Sequence, residues 1–167
     1  MVCVITIGGM DRYREFYIQH KDQLFGYLMR MTGDYYLAGD LMQESFMRHM
    51  EHYGDQEPRK TLLYTIARNA FFDHHRKAKR NVQINDNHQG RSSDGEHTVL
   101  VRSEYREVLA AMKELEPGER EVLALVISSG LSYREIASVA GISEANVKVK
   151  VHRARVALKK ILAQGGK

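Results

Sequence analysis

The chain has 167 residues, 43% of them hydrophobic and 28% charged, with a formal net charge of +4. That balance is enough for folded cores and ordinary for a soluble protein, and its positive sign leans toward a polyanionic partner. The lone cysteine, Cys3, excludes an internal disulfide and suits a reducing compartment.

The opening Val2–Ile7 run is apolar but falls short of the roughly 20 residues that span a bilayer. No basic residue precedes it, which makes it a poor signal peptide. It is read as a tail or a short strand-like arm, with no direct membrane insertion and a cytoplasmic location. From about Asp11, Phe16, Tyr17, His20, Leu24, Tyr27, Leu28 and Met31 recur at helical spacing. Gly33-Asp34 breaks that pattern. A second helix carries Leu41, Met42, Phe46, Met50 and Tyr53 on one side, and Gly54 through Pro58 reads as a loop. A third helix begins near Lys60, with Leu63, Ile66, Ala67, Ala70 and Phe71 as its apolar face. It ends in a basic tail, His74-His75-Arg76-Lys77-Ala78-Lys79-Arg80.

Residues 81–102 are polar, with scattered apolar residues of no period. Such a stretch cannot bury a core and reads as a flexible linker between domains. Beyond it, Val108, Leu109, Met112 and Leu115 mark a helix. Pro117 stands where a helix can start, because its missing amide costs nothing there. Val122, Leu123, Leu125, Val126 and Ile127 mark the next helix, which ends at Gly130. The expectation is an all-α chain of two small helical bundles, 11–80 and 103–164, joined by the linker 81–102.

The segment Ser132–Arg155 has the layout of a helix-turn-helix. Ser132 with Glu135 forms a capping-box pattern, Ala137 is small where two helices cross, and Gly141 tolerates a turn with positive φ. Val147 faces back onto the first helix, and Ser143 can cap the second. That second helix carries Lys148, Lys150, Arg153, Arg155, Lys159 and Lys160 against one acid, Glu144. A capped helix with that charge suits a DNA groove, where cations neutralise phosphates.

Three stretches together resemble a known family. Asp40-Leu41-Met42-Gln43-Glu44-Ser45-Phe46-Met47-Arg48 is similar to the second-domain signature of bacterial extracytoplasmic-function sigma factors. Tyr64 through Asp73 resembles the helix that follows it, and Ile142 through Arg155 resembles their fourth-domain helix-turn-helix. The resemblance implies an initiation subunit of RNA polymerase that directs the core enzyme to specific promoters. Asp40, Gln43, Glu44, Phe46 and Met47 would dock on the clamp coiled coil of the largest polymerase subunit. Asp40, Gln43, Glu44 and Met47 share one polar helix face, which can pair with a basic partner.

The resemblance also implies that the loop after Tyr53 and the third helix melt the minus-ten element. A base that leaves the stack needs hydrogen-bonding groups, a stacking surface and nearby cations. Asn69 matches the family's DNA-facing asparagine. Tyr53 and Tyr64 are candidate stacking rings or, equally, core residues, and Arg68, Asp73, His74, Arg76, Lys77 and Arg80 complete the implied surface. Ser143, Glu144, Asn146, Lys148, Lys150, Arg153 and Arg155 would read the minus-thirty-five element. The implied partners are core RNA polymerase (its clamp and the flap of its second-largest subunit), promoter DNA and an anti-sigma factor. The chain departs from the pattern at Leu62, where tryptophan is common, and at Val149 and Lys150, where serine and arginine are common. Lysine lacks arginine's bidentate contact with guanine, so these changes bear on promoter letters and not on the class of function.

Two other functions compete with this one. A metal-dependent hydrolase needs three or four converging ligands. His49 and His52 have no third ligand near them in sequence, and His74 and His75 point to different helix faces. No metal site, cofactor or catalytic residue is therefore expected. A stand-alone regulator binding an operator through the helix-turn-helix is the alternative, and it leaves the Asp40–Arg48 and Asn69 helices unexplained.

Overall fold

A computed structural model describes residues 7–53, 56–84 and 103–165. Among them are seven helices and no strand: α1 (Ile7–Thr32), α2 (Tyr35–Tyr53), α3 (Lys60–Ile84), α4 (Ser103–Lys113), α5 (Pro117–Ser128), α6 (Tyr133–Ala140) and α7 (Glu144–Gly165). The all-α expectation holds. The Val2–Ile7 arm, with Cys3, lies outside the described residues but for its last position. So do Gly54-Asp55 of the loop and residues 85–102 of the linker. α3 runs to Ile84, four residues into the segment expected to be linker.

Local chemistry sets the helix ends. At Gly33 φ is +65°, the left-handed conformation that stops α1, and its amide donates to the Met29 carbonyl. Asp34 then caps α2, its Oδ1 accepting from the Tyr36 and Leu37 amides at 2.9 and 3.0 Å. Pro117 opens α5, and Gly130 ends the following turn with φ +64°.

In the N-terminal half, α2 packs on both α1 and α3. Leu24, Tyr27, Leu28, Leu63 and Tyr64 are fully enclosed there. Each burial contributes roughly 1.5–3 kcal/mol by transfer from water. In the C-terminal half, α7 packs on α4, α5 and α6 through Val147, Val151 and Ala154. The two halves also meet: α1 lies on α5 and α3 on α6, so one apolar cluster runs through both.

His49 is enclosed between α1 and α2. Its ring stacks on Phe16 at 5.4 Å, and its Nδ1 lies 3.3 Å from the Tyr13 hydroxyl, which donates to the Phe46 carbonyl. Burial holds its pKa below the ordinary imidazole value, and the Arg59 charge lowers it further against a hydrogen bond that the ring donates to the Arg59 backbone carbonyl. The unfolded chain therefore takes up this proton more readily. Stability is complete above pH of about 6.5 and is lost as pH falls below it. His20, also lowered mainly by burial, acts in the same direction. The melting temperature is expected to drop from pH 7.5 to 5.5, by about 2–4 °C for each kcal/mol lost. The drop should be smaller in His49→Phe; an equal drop in that variant would assign the effect elsewhere.

Candidate nucleic-acid and polymerase interfaces

Three surfaces carry the residues singled out from sequence. On α2, Asp40, Gln43 and Met47 are exposed and Glu44 is half-buried, at positions i, i+3, i+7 and i+4. Helical periodicity therefore sets them in one row. Glu44 pairs with Arg48 one turn on, so the face carries an acid–base pair at its edge. Met47, 59% exposed, adds an apolar contact to that face. Phe46 requires a correction. It points the other way, into the core, with its ring 4.8 Å from Tyr17 and 6.3 Å from Phe16. One position along a helix turns a side chain by about 100°, which takes Phe46 off the exposed row and into the packing against α1, so it supports this surface from the core side.

On α3, Arg68, Asn69, Phe72, Asp73 and Arg76 line an open recess of about 530 Å³. Asn69 is exposed within it. The Arg68 guanidinium lies 4.8 Å from the centre of the Phe72 ring, and Arg76 pairs with Asp73. His74, Arg76, Lys77 and Arg80 are exposed along the same helix. Tyr64 requires a correction as a stacking ring. It is wholly buried, packed edge-on against Tyr27 at 5.5 Å, and burial pushes its phenol pKa up. No base can reach it in this arrangement. Tyr53 closes α2, and its side chain lies outside the described residues. Phe72 went unremarked in the sequence. Its place one turn after Arg68, in i, i+4 relation, is the signal that finds it.

The third surface is the helix-turn-helix of α6 and α7. The Ser132 hydroxyl accepts from the Glu135 amide, and the Glu135 carboxylate accepts from the Ser132 amide at 2.8 Å. The Ser132 amide and hydroxyl, both donating to the carboxylate, hold the Glu135 pKa below its ordinary value. Gly141 adopts φ +68° at the turn, and the Ile142 amide donates to the Ala137 carbonyl at 3.1 Å. Ser143 Oγ accepts from the Asn146 amide at 3.2 Å and caps α7. Val147 is fully buried against α6, which turns the other side of α7 outward. Ser143, Glu144, Asn146, Lys148, Arg153 and Arg155 are all exposed there. Glu144 and Lys148 pair at 3.4 Å. Lys150 differs from its neighbours. It is half-buried, and its Nζ lies so close over Gly118 that a Cβ there would stand 2.8 Å away.

Among the described residues no group of three or more histidine, cysteine, aspartate or glutamate side chains is placed to hold a metal ion. No described helix is long and apolar enough to cross a membrane.

Comparison with known proteins identifies both halves of the chain. Residues 16–81 match the family Sigma-70 region 2, and residues 105–158 match Sigma-70, region 4. The chain is 38% identical over 156 residues to the ECF RNA polymerase sigma factor SigM of Bacillus subtilis (strain 168), covering 90% of this chain and 95% of that protein. It is 30% identical over 159 residues to the ECF RNA polymerase sigma factor EcfG of Rhodopseudomonas palustris (strain TIE-1), covering 93% and 88%. The fold is similar to the sigma factor RpoE solved in complex with the anti-sigma factor NepR from Bartonella quintana, with a TM-score of 0.76 and 25% identity over 90% of this chain and 96% of that one. These proteins are the transcription-initiation class built from regions 2 and 4. The chain belongs to the extracytoplasmic-function (ECF) sigma factors of RNA polymerase. The stand-alone operator regulator is not favoured, because region 2 occupies residues 16–81 of the N-terminal half.

Proposed function

We propose that each of the three surfaces has a separate task in promoter-dependent initiation. The row Asp40, Gln43, Glu44 and Met47 on α2 docks on the clamp coiled coil of the largest polymerase subunit. The α3 recess around Asn69, flanked by His74, Arg76, Lys77 and Arg80, captures an unstacked base of the minus-ten element. The exposed side of α7 enters the minus-thirty-five major groove, and the C-terminal bundle rests on the flap of the second-largest subunit. Residues 11–80 and 103–164 are then the polymerase/minus-ten and minus-thirty-five units. Catalysis belongs to the polymerase, and this chain supplies binding and positioning.

One observation carries the reading. The recess combines an exposed amide, a guanidinium over an aromatic ring and adjoining cations, which are the groups needed to hold a flipped base and its backbone. Val149, 46% exposed beside Lys148, gives the groove-facing side of α7 an apolar contact suited to a thymine methyl. A cytoplasmic location follows from the proposed partner, and an anti-sigma factor is a further proposed partner, supported by the complex in which the similar RpoE was solved.

Run-off transcription with purified core polymerase on genomic fragments tests the function. Start sites that appear only when the protein is added are expected, and their alignment supplies both promoter elements. Absence of new starts, with tight duplex binding by the protein alone, would overturn the proposal.

A further inference from the structure

We propose that the free chain latches itself shut: Glu121 of α5 holds Arg68 of α3, closing the two halves face to face and withholding from DNA the cation beside Asn69. This deepens the reading of the α3 recess given above and rests on it.

Glu121 is the only carboxylate buried among the described residues, 5% exposed within the enclosed run Val122–Leu125. A buried carboxylate is costly unless a cation meets it. Arg68 meets it, donating from Nε to Oε1 across the seam between the halves. The same guanidinium covers Phe72 and lines the recess. One cation therefore serves two sites, and a DNA phosphate and Glu121 compete for it. Tyr27 lies beneath the pair, fully buried. Burial first, and the nearby Glu121 carboxylate second, raise its phenol pKa.

The rest of the seam suits a contact that opens. The Arg30 guanidinium donates to the Ser128 hydroxyl at 3.1 Å and lies 5.7 Å from the Tyr105 ring centre. Lys113 folds over Gly33, and Lys60 of α3 lies under Gly130 within reach of the Glu135 charge. These polar and cationic contacts lie beside the apolar cluster that runs through both halves, so the seam is mixed in character, as interfaces between units that separate are. A buried ion pair adds little net stability because both charges regain hydration when exposed, so such a pair acts as a catch and not as a weld. Closure leaves the outer side of α7 open, since α6, not α7, rests on α3. The latched chain thus keeps its groove-reading side free, while the Arg68 charge in its minus-ten recess is already neutralised by Glu121.

The test uses the full chain with Cys3→Ser and spin labels on cysteines placed at Asp22 and Lys160, both exposed and in opposite halves. Pulsed electron resonance is expected to give one narrow distance, broadening toward longer values in Glu121→Gln. The same variant should bind mixed-sequence single-stranded DNA about tenfold more tightly by fluorescence anisotropy, as expected if the free chain is open about a tenth of the time. The exchange Arg68→Glu with Glu121→Arg should narrow the distance again where Arg68→Glu alone broadens it, which separates opening from unfolding. A distribution already broad before substitution, or one that Glu121→Gln leaves narrow, overturns the latch. Broadening without any gain in DNA affinity keeps the latch and overturns the competition, and with it the assignment of the α3 recess to DNA.

Discussion

Asp40→Lys combined with Glu44→Lys is expected to abolish assembly with core polymerase. Both side chains stand on the solvent side of α2, clear of the enclosed Leu41, Ser45 and Phe46, so the change reverses a surface without opening the core. Against the basic coiled coil proposed as its partner, two attractive contacts would become two repulsive ones. Truncating one member of a close charge pair at an interface typically costs about 2–5 kcal/mol, or roughly 30- to 5,000-fold in affinity, and reversal costs more. Glu44→Lys also faces Arg48 one turn along, a like-charge pair that weakens the helix by only about 0.2–0.5 kcal/mol. The measurement is co-elution with core polymerase, with circular dichroism to show that helix content is unchanged. A folded double variant that still forms holoenzyme would remove this face from the polymerase contact.

Asn69→Ala is expected to leave holoenzyme assembly within about twofold and to cut open-complex formation by about tenfold or more. The substitution removes an exposed amide that no core contact requires. Loss of specific hydrogen bonds to a base edge is worth about 1–3 kcal/mol, and a flipped base is held by few other groups. Permanganate reactivity of unpaired thymines, followed over time on a promoter found by run-off mapping, separates melting from binding. Undiminished melting would mean that the captured base lies elsewhere. The two variants divide the N-terminal half by function, because the α2 row and the α3 recess share no residue.

Much of this molecule was legible in the order of its residues. Helix boundaries rest on short-range chemistry: Gly33 and Gly141 in the left-handed region, Asp34 and Ser143 as caps, Pro117 at a helix start, and the reciprocal Ser132–Glu135 bonds. Each of these acts within four residues, so a local pattern suffices to find it. The division between the exposed and buried sides of α7 follows from 3.6-residue periodicity, which is why its basic row was visible at once. Phe46 and Tyr64 were misplaced because an aromatic residue in a motif carries no mark of which way its helix is turned. Only packing against Phe16 and Tyr17, or against Tyr27, decides that.

Glu121 was invisible for a related reason. In sequence it is one of two acids on α5, between Arg120 and a run of apolar residues. Its meaning comes from Arg68, 53 residues earlier, and from the burial that makes an unpaired charge there unfavourable. The same holds for Lys150, whose charge was plain while its place over Gly118 was not. Short-range bonding and helical period are properties of a few neighbouring residues, and the sequence by itself determined the helices, their caps, the helix-turn-helix and the charged rows. Which side chains are enclosed, which ion pair joins the halves and which cation is shared between two sites depend on surfaces brought together from distant parts of the chain, and only the tertiary structure decided those.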